Sequence, residues 1–482
     1  MKGQIVIYTI VGCHHCNRAR SFFDEKKLEY IDINLDQHAD ARKWLVENTG
    51  QKTVPQIFFN ERHIGGNNEL QKLDQEELQR LIMMVLYTEN QDLGVPFVPR
   101  FDEEVDAHDQ EELEVEFTCE LDEYAELVEE LQESGLVRDH KKGIKTYKNS
   151  FVGKDVVDWL LENKDIDRET ATNIGQQLVE RHFGKSVKRR ASTPFKDDNT
   201  IYHFISNGDS NALNAWLHTQ CEPRPAPEVA EELRQVILSM YSEHISSDGK
   251  SVNYKGIPKH PLFSKYIQLI AELKRVRLEE TSREEKLAFF INIYNAMVIH
   301  ACIAVGPPTN LWKRYKFFNS VTYVIGGYSY SLNDIENGIL RANRKAIGSF
   351  KKPFAKSDAR LEIALDSPEP KIHFALVCGA KSCPPIRTYS AADIHQQLQL
   401  ATESFVEGDD VKVDKWKAEV KISKIFKWYR EDFGDTNRDV LLFIYDHMSE
   451  TVKRKNLKGL LDSNTFKLSY VTYDWKLNSN DR

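Results

Sequence analysis

Residues 4–16 read QIVIYTIVGCHHC, and this stretch decides the first part of the fold. Residues 4–8 are a short run of β-formers. Cys13 and Cys16 follow, and residues 16–26 carry Ala19, Phe22 and Phe23 at helical spacing. A cysteine pair at a strand-to-helix junction has a mechanism. The helix dipole and the free N–H groups of the first turn favour a thiolate on the first sulfur. The second cysteine, one turn on, can resolve a mixed disulfide. On this reading Cys13 attacks and Cys16 resolves. Outward from here strands and helices alternate: a strand over 30–34, a helix over 39–49, strands over 56–59 and 62–64, and a helix over 69–81. Such interleaving implies a small α/β unit. Thr53-Val54-Pro55 precedes a strand, where a cis proline would set backbone groups opposite the thiols. Gly65-Gly66-Asn67-Asn68 precedes a helix whose N-terminus suits a carboxylate.

The CxxC, TVP and GG elements at these spacings resemble a glutaredoxin over about residues 3–85. The resemblance implies a thioredoxin-like fold, Cys13 as nucleophile, and glutathione as co-substrate. It seats glutathione on Lys52, Thr53, Val54, Pro55, Gly66, Asn67 and Asn68. His14 and His15 stand where that family usually has Pro-Tyr, and Asn68 where it has Asp. A zinc site through Cys13, Cys16 and a histidine, and an inert relic, remain the rival readings of the same residues.

The chain has 482 residues, 41 % hydrophobic and 29 % charged. That length allows two to four domains, and the composition excludes a wholly disordered chain. The net charge of −9 argues against a globally basic nucleic-acid binder, so no nucleic-acid partner is expected. The charge is local, however. Residues 102–134 hold sixteen Asp and Glu and no Lys or Arg, and the remainder carries +7. Seven cysteines are too few for a disulfide-stapled secreted scaffold. No apolar run is expected to reach the ~20 residues of a membrane helix, and the N-terminus lacks the h-region of a signal peptide. A reducing, cytoplasmic setting follows, with peripheral membrane attachment left open. The expected organisation is multi-domain α/β and α+β: residues 1–88, an acidic linker over 89–120, a middle unit over 121–208, and a large α+β domain over 209–475. Apolar spacing over 116–131 is helical, so the acidic stretch reads as half linker and half amphipathic helix.

In the middle unit the string FVGKDVVDWL (151–160), a helix starting near Thr170 and the closing strand TIYHF (200–204) resemble a DEP domain over about 125–206. That implies a winged-helix-like helical domain that docks on a membrane surface or a receptor. The loop bearing Lys185, Lys188, Arg189 and Arg190 is a candidate basic patch for anionic lipid. Ser192, behind two arginines, is a candidate phosphosite whose charge would offset that patch. A plain solvated loop, and pairing with the acidic stretch, are the alternatives.

In the last part, residues 283–305 form the strongest helix, and 321–325 with 328–330 read as a hairpin around Gly326-Gly327. Residues 371–378 read as a buried strand. His373, Cys378 and Cys383 could form a Cys–His catalytic pair, oriented by Asn292 or Asn295, which share a helix face. A metal site through the first three, and a purely structural use, are the competing readings. The strings FFINIYNAMVIHA (289–301), IGGYSYSLNDIENGILR (325–341), IHFALVCGAKSCPPIRTYS (372–390) and SKIFKWYREDFG (423–434) resemble domain-of-unknown-function family 547 over about 215–450. No activity is attached to that resemblance. Three functions follow as expectations: a glutaredoxin-type thiol–disulfide oxidoreductase acting on glutathione or protein disulfides, a non-catalytic signalling adaptor, and a Cys–His hydrolase or transferase.

Overall fold

The computed structural model describes residues 2–10, 14–35, 38–88, 95–98, 122–143, 145–187, 194–205, 212–215, 222–279 and 281–480. The chain divides into two compact units, residues 1–125 with 220–222, and residues 126–219 with 223–482.

In the first unit the order is β1 (Ile5–Thr9), α1 (His14–Glu25), β2 (Ile31–Asn34), α2 (Ala39–Thr49), β3 (Gln56–Phe59), β4 (Arg62–Gly65), α3 (Asn67–Lys72) and α4 (Gln75–Tyr87). The sheet order is β2-β1-β3-β4, with β1 parallel to β2 and antiparallel to β3. β1 is buried along its whole length. Its alternate residues feed two cores: Val6 and Tyr8 pack with Leu45 and Phe58, while Ile5 and Ile7 pack with Phe23, Leu81 and Val85. A strand covered on both faces reads as a continuous apolar run, which is what IVIY is. The Val54–Pro55 peptide is cis. The single helix expected over 69–81 is two helices. Leu73 adopts an extended backbone, and the Asp74 carboxylate accepts the Glu77 N–H at 2.7 Å, capping α4. A short acidic side chain that bonds local N–H groups favours a cap over a helix interior.

From the boundary at residue 125 onward come α5 (Ala125–Glu133), β5 (Arg138–Lys142), β6 (Lys145–Val152), α6 (Gly153–Asn163), α7 (Arg168–Glu180), β7 (Gly184–Ser186) and β8 (Ile201–Phe204). These strands form an antiparallel sheet in the order β5-β6-β8-β7. Gly175 on α7 sits against the ring of Phe195. A Cβ there would lie 2.3 Å from a ring carbon, so only glycine allows the approach.

The large remainder runs α8 (Ala226–His244), α9 (Phe263–Glu272), α10 (Arg283–Ala304), α11 (Leu311–Ser320), β9 (Thr322–Ile325), β10 (Tyr328–Ser331), α12 (Ile394–Glu407), β11 (Val411–Asp414), β12 (Glu419–Ile422), α13 (Lys424–Trp428), α14 (Arg430–Phe433), α15 (Asn437–Asp446), α16 (Val452–Asp462) and β13 (Lys467–Tyr470). β9 and β10 form the expected hairpin, and β11-β12-β13 a second small sheet. Ser282 and Glu285 start α10 as a capping box. α10 is long and apolar enough to cross a bilayer on composition, against the sequence expectation, but it is buried from Leu287 to Cys302 in this domain. A helix apolar on all sides is a core helix when other elements surround it.

The strand expected over 371–378 is absent. Pro370–Phe374 is a 3-10 turn capped by the Glu369 side chain. The N–H groups of Ala375 and Leu376 both bond to the Ile372 carbonyl at 2.9 Å. Asn295 on α10 then takes the Ala375 carbonyl and the Val377 N–H, each at 2.9 Å. The groups a strand would offer a neighbouring strand are satisfied by the turn and by one amide side chain.

Candidate functional site

In the first unit Cys16 lies in the first turn of α1, fully buried and disulfide-bonded, its bonding partner outside the described residues. Cys13 also lies outside them. The remaining predicted residues fall on two neighbouring segments. Thr53 to Pro55 lead into β3, where the Gln56 side-chain amide donates to the Thr53 carbonyl at 2.9 Å. Lys52 is exposed, Val54 and Pro55 are buried. Gly66, Asn67 and Asn68 lie at the start of α3, with Asn67 buried and Asn68 exposed. The Gly66 N–H is already taken: it donates to the Glu69 carboxylate at 2.8 Å. An incoming carboxylate would therefore compete there with a residue of the same chain. The His63 imidazole is bonded to Gln56 at 2.6 Å, and burial lowers its pKa.

The basic-patch expectation needs correction at Lys185 alone. Lys188, Arg189, Arg190 and Ser192 lie outside the described residues. Lys185, on β7, is turned inward. Its ammonium sits over the Tyr328 ring and donates to the Gly327 carbonyl at 3.3 Å, and burial holds its pKa well below the usual lysine range. Beside it Arg275 stacks on Phe183 at 3.5 Å and donates twice to the Arg181 carbonyl, at 3.0 and 2.8 Å. Lys185 thus docks the middle segment against hairpin β9–β10 and is not part of an open surface.

The large domain contains a cavity of about 790 Å³ lined in part by His373, Cys378 and Cys383. Asn292 and Asn295 do not orient the histidine. Asn292 bonds the Tyr389 carbonyl and N–H at 2.7 and 2.9 Å, as Asn295 bonds residues 375 and 377. Both amides fasten backbone, each donating one hydrogen bond and accepting another in the core. The histidine is held instead by Asp432 on α14, 2.7 Å from Nε2, and by the Tyr429 ring, stacked at 3.9 Å. Arg341, fully buried, donates to both Asp432 oxygens at 2.5 and 3.0 Å and to Asn337 at 2.6 Å. His373 and Arg341 hold the Asp432 carboxyl well below the carboxylate range in spite of burial, while burial lowers the pKa of His373. An ionised Asp432 only accepts, so the neutral imidazole donates from Nε2 and its Nδ1 carries the lone pair. Glu336 completes the cluster, accepting from the Tyr429 hydroxyl at 2.5 Å and the Tyr294 hydroxyl at 3.1 Å.

The hydrogen bonds of His373 reach neither cysteine; the two sulfurs pair with each other. Cys378 Sγ and Cys383 Sγ are 3.0 Å apart, the Cys378 N–H donates to Cys383 Sγ at 3.2 Å, and the Tyr473 hydroxyl lies 3.7 and 3.5 Å from the two sulfurs. Donation from Cys383 and from Tyr473 brings Cys378 down to about 7 against its burial, while burial and the neighbouring sulfur push Cys383 well up. Among the described residues no group of three or more His, Cys, Asp or Glu is placed to hold a metal ion.

Sequence reasoning missed Arg341, Asp432, Tyr429, Glu336 and Tyr473. The signal was in strings already singled out: IENGILR (335–341) holds Glu336 and Arg341, and KWYREDFG (427–434) holds Tyr429 and Asp432. Charged residues are rarely buried without a partner.

Three family models match the chain. One is described as Glutaredoxin and covers residues 5–64; one as "Domain found in Dishevelled, Egl-10, and Pleckstrin (DEP)" and covers 136–204; one as "Protein of unknown function, DUF547" and covers 278–406. Among curated proteins, glutaredoxin 1 of Rickettsia conorii is 35 % identical over 74 residues, which is 15 % of this chain and 72 % of that protein. Glutaredoxin 3 of Escherichia coli K12 is 36 % identical over 71 residues, 15 % of this chain and 86 % of that protein. A crystal structure of a buckwheat glutaredoxin–glutathione complex is 30 % identical over 17 % of this chain and 76 % of that one, with a TM-score of 0.15.

Proposed function

Through its N-terminal segment the chain belongs to the glutaredoxin family, and from that premise we propose that it performs glutathione-linked thiol–disulfide exchange at Cys13 and Cys16. The observation that carries this reading is Cys16 itself, a buried disulfide-bonded cysteine in the first turn of α1, immediately after β1. A thiolate on Cys13 attacks the glutathione sulfur of a mixed disulfide, the S–S bond breaks, and the other thiol leaves with a solvent proton. Cys16 or a second glutathione then attacks the Cys13–glutathione bond and releases glutathione or its disulfide. Glutathione lies along Lys52, Thr53, Val54 and Pro55, with its carboxylate toward Asn67 and Asn68. The Gly66 amide contributes only when Glu69 gives way.

The DEP domain supports a signalling role, in which the chain docks at a membrane surface or receptor and carries its redox unit there. Its setting is a reducing compartment, the cytoplasm. The test is glutathione-dependent reduction of a small mixed disulfide, coupled to glutathione reductase, with wild type and Cys13→Ser. Turnover in the wild type that disappears in Cys13→Ser supports the proposal. Glutathione binding without turnover would make the chain a redox-sensing adaptor instead.

A further inference from the structure

Cys378 and Cys383 have features that their neighbours in the core lack. Their sulfurs are 3.0 Å apart, roughly 1 Å beyond the ~2.05 Å of a disulfide bond. Both line the 790 Å³ cavity, yet they differ in exposure: Cys378 is half-buried and Cys383 buried. Cys302, the other reduced cysteine among the described residues, lies in α10 and has its thiol pushed up to about 12 by burial. The cavity wall beside the pair is aromatic, with Trp428, Tyr473 and Trp475 packed at 4.4 to 5.2 Å between ring centres. The lining also includes Leu311, Tyr315, Ile347 and Phe350, four large hydrophobic side chains exposed to solvent.

We propose that Cys378 and Cys383 are a second thiol–disulfide centre, separate from the N-terminal pair, that reduces disulfides carrying an apolar or aromatic group admitted by the cavity. Cys378 is the attacking residue because it is the more exposed and is the sulfur that Cys383 and Tyr473 stabilise as thiolate. Its sulfur attacks one sulfur of the substrate R–S–S–R′, the S–S bond breaks, and R′S⁻ leaves and takes a proton from water. Cys383 then loses its proton to the departing RS⁻ and attacks Cys378 Sγ. A Cys378–Cys383 disulfide forms and RSH is released. Two protein thiols are oxidised and one substrate disulfide becomes two thiols. Two equivalents of a monothiol such as glutathione, oxidised to its disulfide, reset the centre. Tyr473 is a positioning residue, its hydroxyl shared between the sulfurs. The His373–Asp432 pair takes no part, since it bonds neither sulfur.

The proposal is independent of Cys13 and Cys16, so it is tested in the full chain carrying Cys13→Ser and Cys16→Ser. The probe is 4,4′-dithiodipyridine, a neutral aromatic disulfide, followed by blocking of free thiols, denaturation and tryptic mapping. Trypsin cuts at Lys381, between the two cysteines. Oxidation of the folded chain should therefore join peptide 372–381 to peptide 382–387, and reduction should separate them. With Cys383→Ser added, the reaction should stop at a thiopyridyl adduct on 372–381. The aromatic probe should outpace glutathione disulfide by at least tenfold more on the folded chain than on the urea-unfolded one. Unlinked peptides after oxidation of the folded chain would overturn the proposal. So would an adduct that falls on 382–387 in preference to 372–381 in a Cys378→Ser and Cys383→Ser comparison. Equal rate ratios in folded and unfolded chains would overturn the assigned substrate class. If either serine variant fails to fold, the linked-peptide result in the parent chain decides alone.

Discussion

Replacing Arg341 by methionine removes the guanidinium that holds Asp432 in the core while keeping much of the side-chain volume. Four hydrogen bonds to side chains go with it, at 2.5 and 3.0 Å to Asp432, 2.6 Å to Asn337 and 3.1 Å to Glu431. Asp432 keeps His373 and Arg344 as partners. Breaking a buried pair by deleting one member costs about 3–5 kcal/mol, because the remaining charge stays desolvated. With Arg344 still in place, the lower end, about 3 kcal/mol, is expected. That is about a hundredfold in the opening equilibrium. The chain is not a single two-state system, so global melting is the wrong readout. Hydrogen exchange followed by mass spectrometry on peptides covering residues 370–376 and 424–434 reports this cluster directly. Adding Asp432→Asn to Arg341→Met removes the stranded charge and should recover at least about 1 kcal/mol of the loss. A loss below about 1 kcal/mol in the single variant, or a double variant less stable than the single, would refute the reasoning.

Other perturbations follow from the same geometry. Because the Asp432 carboxyl is held below its ordinary value of 3.8, its contribution to stability is complete above that value and is lost as pH falls through the lower folded pKa, while His373, whose pKa burial lowers from 6.5, takes up a proton more readily in the opened state; exchange protection of peptide 424–434 should therefore decline as pH falls below about 6.5 and decline further on acidification toward 3, and protection that stays flat from pH 7 to 5 would contradict the neutral, buried His373. Alkylation of Cys378 should be half-maximal near pH 7, and Tyr473→Phe, which removes one donor worth about 1 kcal/mol, should move the midpoint up by roughly 0.7 unit; an unmoved midpoint contradicts the role given to Tyr473. Glu69→Ala frees the Gly66 N–H and removes a carboxylate from the glutathione groove, so the KM for glutathione should fall by roughly twofold to fivefold, whereas a rise would mean that the cap of α3 matters more. Lys185→Glu sets a carboxylate against the Gly327 carbonyl and the Tyr328 ring; hydrogen exchange in β9–β10 should accelerate by at least tenfold, and unchanged exchange would show that the contact does not hold the hairpin.

The N-terminal fold is readable residue by residue because its signals are local. Apolar alternation sets β1, and the cysteine spacing, Pro55 and the glycines mark the turns around it. The break at Leu73–Asp74 escapes periodicity because an extended Leu73 and one capping carboxylate start a new helix where the apolar pattern would continue the old one. In the large domain long-range contacts decide the structure. Residues 371–378 have the composition of a strand, yet Pro370 and the Asn295 side chain, far away in sequence, set a turn. The Asn292 and Asn295 pair is visible as an oddity, but only the fold reveals that its partners are backbone. The same holds for His373: Asp432, 59 residues on, displaces the cysteines as its hydrogen-bond partner. Lys185 looks like a surface charge until the hairpin that covers it is in place. Nothing local in a sequence tells an exposed lysine from one whose stem and head are packed.

Glutathione-linked exchange at Cys13 and Cys16 is tested most directly by trapping its intermediate. The Cys16→Ser chain, reduced and then mixed with glutathione disulfide, is quenched with acid and mapped by mass spectrometry. Removal of the resolving thiol should leave one glutathionyl group on Cys13, discharged by added glutathione. Absence of an adduct on Cys13, with the chain folded and glutathionylation confined to other cysteines, would contradict it.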